Sequence, residues 1–333
     1  LPIRVFEVPP ASGCSPARAQ ILRAASAAAA AFAPDILHLH GGQDFNALLP
    51  WLAYKRLRGQ RLPTILQLHI WLSHSKRDPL HALSYRLIDQ VWCSSEPARR
   101  SALKILPIGP EKARVLRYGR PMAEMEANML AREAARAELG LPADAVVVGS
   151  VSRIDRGKGT AELIEGTVRA MRAHPRLFLA LIGGPTEDSP REAAFAEELK
   201  RKAEALPQDL RARVRLLGPL PQSHRLLKAF DLFALPTYRE CFSLALMEAQ
   251  LAALPCIATN AGGSPELVRE GLTGWLCQPE STDSFAEALN RALADQPSWA
   301  EYGERARARA RAEYDRVPAL DETITAYRDL LGS

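Results

Sequence analysis

LFALPTYRECFSLALMEAQLAALPCIAT, residues 232–259, passes from a continuous apolar run through a loop-like segment into an apolar run of helical length, then into a second continuous run. The outer runs, LFALP and PCIAT, show no polar alternation, which is the pattern of strands buried on both faces. Between them SLALMEAQLAA is rich in helix formers and opens on Ser243, a residue type that caps helices. Strand, crossover helix and strand imply a parallel sheet. Two carboxylates stand among these apolar neighbours, Glu240 in the loop and Glu248 in the helix.

The alternation continues on both sides. Upstream and downstream, VVVGSV, LFLALIG, VRLLG and GWLC read as strands. GTAELIEGTVRAMRA, PREAAFAEELKRKAEAL, QSHRLLKAF and PELVREG read as the helices between them. The first half repeats the scheme, with strands at IRVFEV, ILHLH, TILQLH, QVWCSS and ARVLRY. Its helices are SPARAQILRAASAAAAAF, FNALLPWLAYKRLRG broken near Pro50, LHALSYRLI, and EPARRSALKIL with Pro97 in the first turn. At 333 residues the chain exceeds one ordinary core, so two doubly wound α/β domains are expected. The first spans 1–142, with Leu1 opening directly into a strand, so that its N-terminal βα elements are read as missing. The helical, Ala/Glu/Arg-rich stretch AEMEANMLAREAARAELGL leads to the second, at 143–315, and residues 316–333 form a closing helix. In such sheets ligands bind beyond the carboxyl ends of the strands.

Composition narrows the function. With 47% hydrophobic and 24% charged residues and no apolar run near the roughly 20 residues needed to span a bilayer, this is a globular chain without a visible signal peptide. Five cysteines lack Cys-x-x-Cys spacing, so neither a disulfide framework nor a zinc site is expected, and a cytoplasmic location fits. Residues 1–142 carry 19 Lys and Arg against 11 Asp and Glu, whereas residues 143–333 carry 24 against 27. A run without acids, Lys55, Arg56, Arg58, Arg61, Lys76 and Arg77, is either a solvated basic face or a surface for anionic lipid at the inner membrane face or a phosphorylated acceptor. No nucleic-acid module surrounds it.

Three loops carry candidate chemistry. After VVVGSV, the loop SRIDRGKGT sets Arg153 and Lys158 before a helix start, where two cations form an anion site suited to a diphosphate. Glu240 precedes the turn capped by Ser243, placed to accept hydrogen bonds from neutral hydroxyls. Glu248, flanked by Leu246, Met247 and Ala249, needs a donor, because an unpaired buried carboxylate is costly. Neighbouring backbone and the vicinal hydroxyls of a ribose both qualify. In TNAGGSPELV, Gly262 and Gly263 either make a tight turn or let backbone approach a ligand, with Ser264 as helix cap and Pro265 in the first turn.

Taken in order, VGSVSRIDRGKG, LALIGG, VRLLGPLP, DLFALPTYRECFSLALMEAQ and NAGGSPELVREGLTGWLCQPE resemble the retaining GT-B glycosyltransferases of the large bacterial polysaccharide and lipid glycosyltransferase group (group 1, family 4-like). The resemblance is dense over residues 144–295 and thinner through PDILHLHGG and PTILQLH. It implies two Rossmann-like domains facing a cleft, and a nucleotide-sugar donor with no cofactor and no metal. It further implies that Arg153 and Lys158 bind the diphosphate and Glu248 the ribose, and that Glu240 lies by the hexose with the amides of Phe242, Ser243 and Leu244. Gly218, Pro219 and Leu220 match the loop that contacts the base. His69 matches the first-domain histidine near the transferred sugar; His38 and His40 are weaker candidates. Positive groups at the phosphate would stabilise the leaving group electrostatically, and the chain contains no Asp-x-Asp metal motif. The resemblance also implies a glycan or lipid-linked acceptor. The pattern departs from the family at Cys241 and Ser243, where Gly is frequent beside the aromatic, and at Tyr118-Gly119, where Asn-Gly is usual. A nucleotide-sugar epimerase on the same fold and a catalytically silent nucleotide-sugar-binding partner remain as other readings.

Overall fold

The computed structural model describes residues 34–332 together with Ala27. The strand expected over IRVFEV, the Ala-rich helix after it apart from Ala27, and Cys14 lie outside the described residues. The chain divides into two compact units, one of Leu1–Leu116 with Asp321–Ser333, the other of Arg117–Leu320.

In the first unit four parallel strands follow in chain order: β1 (Leu37–Leu39), β2 (Thr64–Leu68), β3 (Gln90–Cys93) and β4 (Ala113–Val115). One sheet face is covered by α1 (Gly42–Leu57), through Phe45, Leu48 and Leu52 against Leu66, Val91 and Cys93. Pro50 sits inside α1 without ending it, contrary to the expected break. Proline removes one backbone donor from the ladder, but the buried residues on both sides of it hold the two halves on the same sheet. α2 (Glu96–Ile105) starts as the sequence implies, with the Ala98 N–H donating to Ser95 Oγ at 3.4 Å and Pro97 in the first turn. On the other face Ile65, Trp92 and Leu116 bury Ala326 of the last helix, Arg316–Leu331, whose residues from Asp321 onward belong to this unit.

The basic run of residues 55–77 is not one patch. Lys55 and Arg56 lie in the last turn of α1, whereas Lys76 Nζ is 3.5 Å from where a Cβ on Gly42, in the first turn, would stand. At 1.5 Å per residue these groups are roughly 20 Å apart along the helix. The run alternates between the two ends of the sheet because the chain descends through α1 and returns through β2.

The second unit holds β5 (Val146–Val151), β6 (Leu177–Ile182), β7 (Val214–Leu216), β8 (Leu232–Leu235), β9 (Cys256–Thr259) and β10 (Gly274–Cys277). All are parallel, in the order β10-β9-β8-β5-β6-β7. The chain therefore builds outward from β5 to one edge, then returns to β5's other side with β8. α3 (Thr160–Met171) follows β5 and α4 (Leu244–Leu251) follows β8.

Residues 117–142, assigned above to the first domain, pack in this unit. They form two short helices, Met122–Ala127 and Arg132–Leu139. Met122, Met125, Ala135 and Leu139 are buried with Phe230, Phe233 and Leu246. Arg136 fixes them further: it is 3% exposed, its Nη2 donates to Asp231 Oδ2 at 2.7 Å, and its other donors meet carbonyls of Ala229, Pro142, Ala143 and Ala145. QSHRLLKAF is a 3-10 segment, Ser223–Ala229. PELVREG yields a single turn, Ser264–Leu267, capped by Gly263 instead of Ser264, whose buried hydroxyl has no partner.

Candidate functional site

The strand order reverses between β5 and β8, and the carboxyl ends of the strands at such a reversal are where open α/β sheets bind ligands. The loops leaving these two strands are stitched together. Tyr238 N–H and Thr237 Oγ1 both donate to the Gly157 carbonyl, at 2.8 and 3.0 Å, and Tyr238 OH donates to Glu162 Oε1 at 2.6 Å. Gly159, at φ +67°, lies so close to the Pro236 carbonyl that a Cβ would stand 2.0 Å from its oxygen. Only glycine suits that crossing.

This stitching brings together two residues 82 positions apart: Lys158 Nζ meets Glu240 Oε2 at 2.6 Å, with side chains 21% and 18% exposed. Glu240 is itself held from below. Gly263 N–H donates to the Glu240 carbonyl at 2.7 Å, and Gly262, at φ +58°, would place a Cβ 2.3 Å from that oxygen. The Gly-Gly turn thus packs against the backbone of the carboxylate-bearing loop. Just beyond, Ser243 Oγ accepts from the Leu246 N–H at 3.3 Å, so α4 is capped as expected. Cys241 is buried beside it, with its thiol pushed up to about 12 by burial first and by Glu240 second, so it is an inert filler.

Glu248 has a partner that no local pattern indicated. Arg120 Nη2 donates to Glu248 Oε1 at 3.0 Å, and the carboxylate side chain is 13% exposed. Burial pushes the carboxyl above the usual carboxylate range, while Arg120 opposes that rise. The departures from the family pattern find uses in the same place. Tyr118 OH donates to the Phe242 carbonyl at 2.7 Å, and Arg117 Nη2 to Glu266 Oε2 at 2.6 Å.

The remaining second-unit candidates are spread along the same edge. Arg153 does not share a partner with Lys158: its Nη1 donates to Thr186 Oγ1 at 3.0 Å, with Asp155 at 3.4 Å and Glu192 at 3.6 Å, and it is 59% exposed. Gly218, at φ +71°, offers its carbonyl to Gly183 N–H at 2.8 Å, which ties the loop of Gly218, Pro219 and Leu220 to the end of β6. Leu220 packs against the core and Phe242 is buried in it, whereas Leu244 remains partly exposed at the start of α4.

In the first unit His69 follows β2 and His40 follows β1, adjacent parallel strands, so the rings meet. His40 Nδ1 and His69 Nε2 share a hydrogen bond at 3.0 Å, and His38 stacks on His40 at 4.4 Å between ring centroids. His38 Nδ1 is bonded to Tyr327 OH at 2.7 Å. Burial holds His38 down at about 4 and lowers His69, with His40 adding to both. Among the described residues no group of three or more His, Cys, Asp or Glu is arranged to hold a metal ion, and the four described cysteines are unbridged. Nor, among those residues, is any helix long and apolar enough to cross a membrane.

Comparison with known proteins matches residues 131–309 to the family of glycosyl transferases group 1, and residues 1–119 to the glycosyl transferase 4-like domain. The chain belongs to the group 1 glycosyltransferases. Over 188 residues, 55% of the chain, it is 35% identical to a D-inositol 3-phosphate glycosyltransferase of Corynebacterium glutamicum (strain R). That match covers 44% of the relative, and the chain spans less than half the length of the curated relatives it matches. Among solved structures, sucrose-phosphate synthase from Thermosynechococcus elongatus is similar with a TM-score of 0.75 at 24% identity, over 94% of this chain and 78% of that one. HepE from Anabaena, in complex with UDP and glucose, is similar with a TM-score of 0.75 at 23% identity, over 93% and 81%. These likenesses show the GT-B fold.

Proposed function

We propose that this group 1 glycosyltransferase transfers a hexose from a nucleotide-sugar to a glycan or lipid-linked acceptor in cell-surface polysaccharide synthesis, with retention of configuration and without a metal. The observation that carries the reading is the Lys158–Glu240 pair at the β5/β8 reversal, where an anion-binding group and a hydroxyl-binding group stand 2.6 Å apart. A sugar diphosphate presents the same two chemistries side by side. Lys158 takes the phosphate and Glu240 the sugar hydroxyls, with the amides of Phe242, Ser243 and Leu244 completing the hexose site. Arg153 adds a second cation at the diphosphate by turning from its exposed partners.

Glu248 then accepts the ribose hydroxyls, and Gly218, Pro219 and Leu220 meet the base. UDP is the first choice of nucleotide, supported by the UDP-bound structure of HepE, and GDP the second. As the glycosidic bond breaks, Lys158 and Arg153 stabilise the diphosphate leaving group. The acceptor hydroxyl attacks from the leaving-group side and a phosphate oxygen takes its proton. His69 and the acceptor are assigned to the first unit, and a membrane role for its basic residues rests on either end of α1 alone.

Thermal melts with UDP, GDP and ADP test donor binding, because a ligand at 100 times its Kd adds about 2.7 kcal/mol. UDP release from UDP-glucose in the presence of EDTA tests turnover, and the anomeric coupling of the product tests retention. No stabilisation by any nucleoside diphosphate would overturn the reading, and binding without turnover would leave a silent partner in its place.

A further inference from the structure

The segment Arg117–Arg120 is a strap across the back of the candidate donor site. Its backbone is fixed at both sides: Arg120 N–H donates to the Tyr314 carbonyl at 2.9 Å, and Arg316 N–H to the Arg120 carbonyl at 2.8 Å. Gly119 lies against Asp315, where a Cβ would stand 2.3 Å from the carbonyl oxygen. With the backbone held there, three side chains reach the site's loops, Arg117 to Glu266, Tyr118 to the Phe242 carbonyl and Arg120 to Glu248.

Arg120 makes an unusual stabilising contact. Its Nε is buried without a hydrogen-bond partner while Nη2 serves Glu248. Buried donors are normally satisfied, so an orphaned one calls for a physical reason. Only one Glu248 oxygen, Oε1, is bonded to Arg120.

We propose that Arg120 is a positioning residue for nucleotide recognition: it holds Glu248 ionised and oriented, so that the carboxylate accepts the ribose hydroxyls. This rests on the reading of Glu248 given above and extends it to a residue outside the donor contacts. The need for a cation follows from burial, which favours the neutral acid, and a neutral acid offers fewer acceptor sites to a diol. The charged groups facing the pair are few. His224 and Arg225, on the 3-10 segment after β7, stand on Arg120's side, and burial, then Arg120 and Arg225, lower His224 from its ordinary value. Arg120 is the charged group that acts on Glu248 itself.

The test is UDP affinity by calorimetry from pH 5.5 to 8.5 in the folded chain. A nearby cation lowers a carboxyl by about 1–3 pH units. In Arg120→Met the loss of affinity with falling pH should therefore begin about 1–3 units higher than in the unaltered protein, giving a deficit that is large at pH 6 and small at pH 8.5. Arg120→Lys should restore most of the profile, and Glu248→Gln in the Arg120→Met background should flatten it. Parallel profiles for Arg120→Met and the unaltered protein, with only a lower melting temperature, would overturn the proposal. If Arg120→Met fails to fold, Arg120→Gln and Arg120→Lys make the same comparison of a neutral with a charged side chain. Should Glu248→Gln alone leave UDP affinity unchanged, the ribose assignment fails first, and the profile of Arg120 variants is then expected to be flat.

Discussion

The two units each carry a parallel sheet, yet their carboxyl edges are loaded differently. In the second, the strand order reverses between β5 and β8, and the loops on either side meet through opposite charges, Lys158 with Glu240. In the first, the four described strands run in chain order, and the ends of β1 and β2 meet through imidazole rings, His40 with His69. Charge accumulates where loops from both sides of a reversal can face one another; where neighbouring strands simply succeed each other, the residues at their ends stack. The difference teaches that the charged edge is a consequence of topology together with two glycines, Gly159 and Gly262, which allow the backbones to cross.

The largest effect should come from the charged edge. Lys158→Ala removes a donor to the phosphate and should weaken UDP binding by about 1.5–3 kcal/mol, the range for hydrogen bonds to charged groups. Unchanged affinity in calorimetry would break the contrast, because the pair would then be an internal tie with no ligand role. Next in size is Gly262→Ala. Its left-handed backbone and the adjacent Glu240 carbonyl leave no room for a methyl group, so a loss of more than about 1 kcal/mol of stability is expected, with weaker UDP-glucose binding as Glu240 is displaced. A melt equal to that of the unaltered protein would show that the turn is not what holds the loop.

The smallest effect belongs to the imidazole edge. His38 sits at about 4 in the folded protein against an ordinary 6.5, so between those values the unfolded chain binds the extra proton. Stability contributed by the neutral ring is full above pH 6.5 and falls as pH drops toward 4. Melting temperatures over that window should decline less in His38→Asn than in the unaltered protein. Equal slopes would show that the ring is not held neutral by the fold.

Much of this was legible in residues alone. Unbroken apolar strands alternating with helices revealed two parallel sheets, and Ser243 announced its helix because capping is local chemistry. The Lys158 and Glu240 loops were found because both follow strands. What escaped notice depends on contacts far apart in the chain. Arg120 reaches Glu248 across 128 positions, and nothing near either residue signals the other. Residues 117–142 precede the point where the strand–helix scheme repeats and so read with the first domain, and only their burial against Phe230 and Leu246 places them in the second unit. The basic run was read as one patch because sequence distance conceals that β2 carries the chain between Arg61 and Lys76 to the opposite end of the sheet. Pro50 and Ser264 misled for a shared reason: a local rule, a break or a cap, yields where packing or a glycine has already settled the backbone.

The central claim is that Glu240 and Glu248 serve different parts of one donor, and calorimetry of UDP and UDP-glucose against Glu240→Gln and Glu248→Gln tests it most directly. Glu248→Gln should weaken both ligands about tenfold or more, since it faces the ribose that both contain. Glu240→Gln should weaken UDP-glucose alone. Because it releases Lys158 from its 2.6 Å partner, UDP should bind that variant as tightly as before or more so. Equal losses of UDP affinity in the two variants would contradict the division of roles.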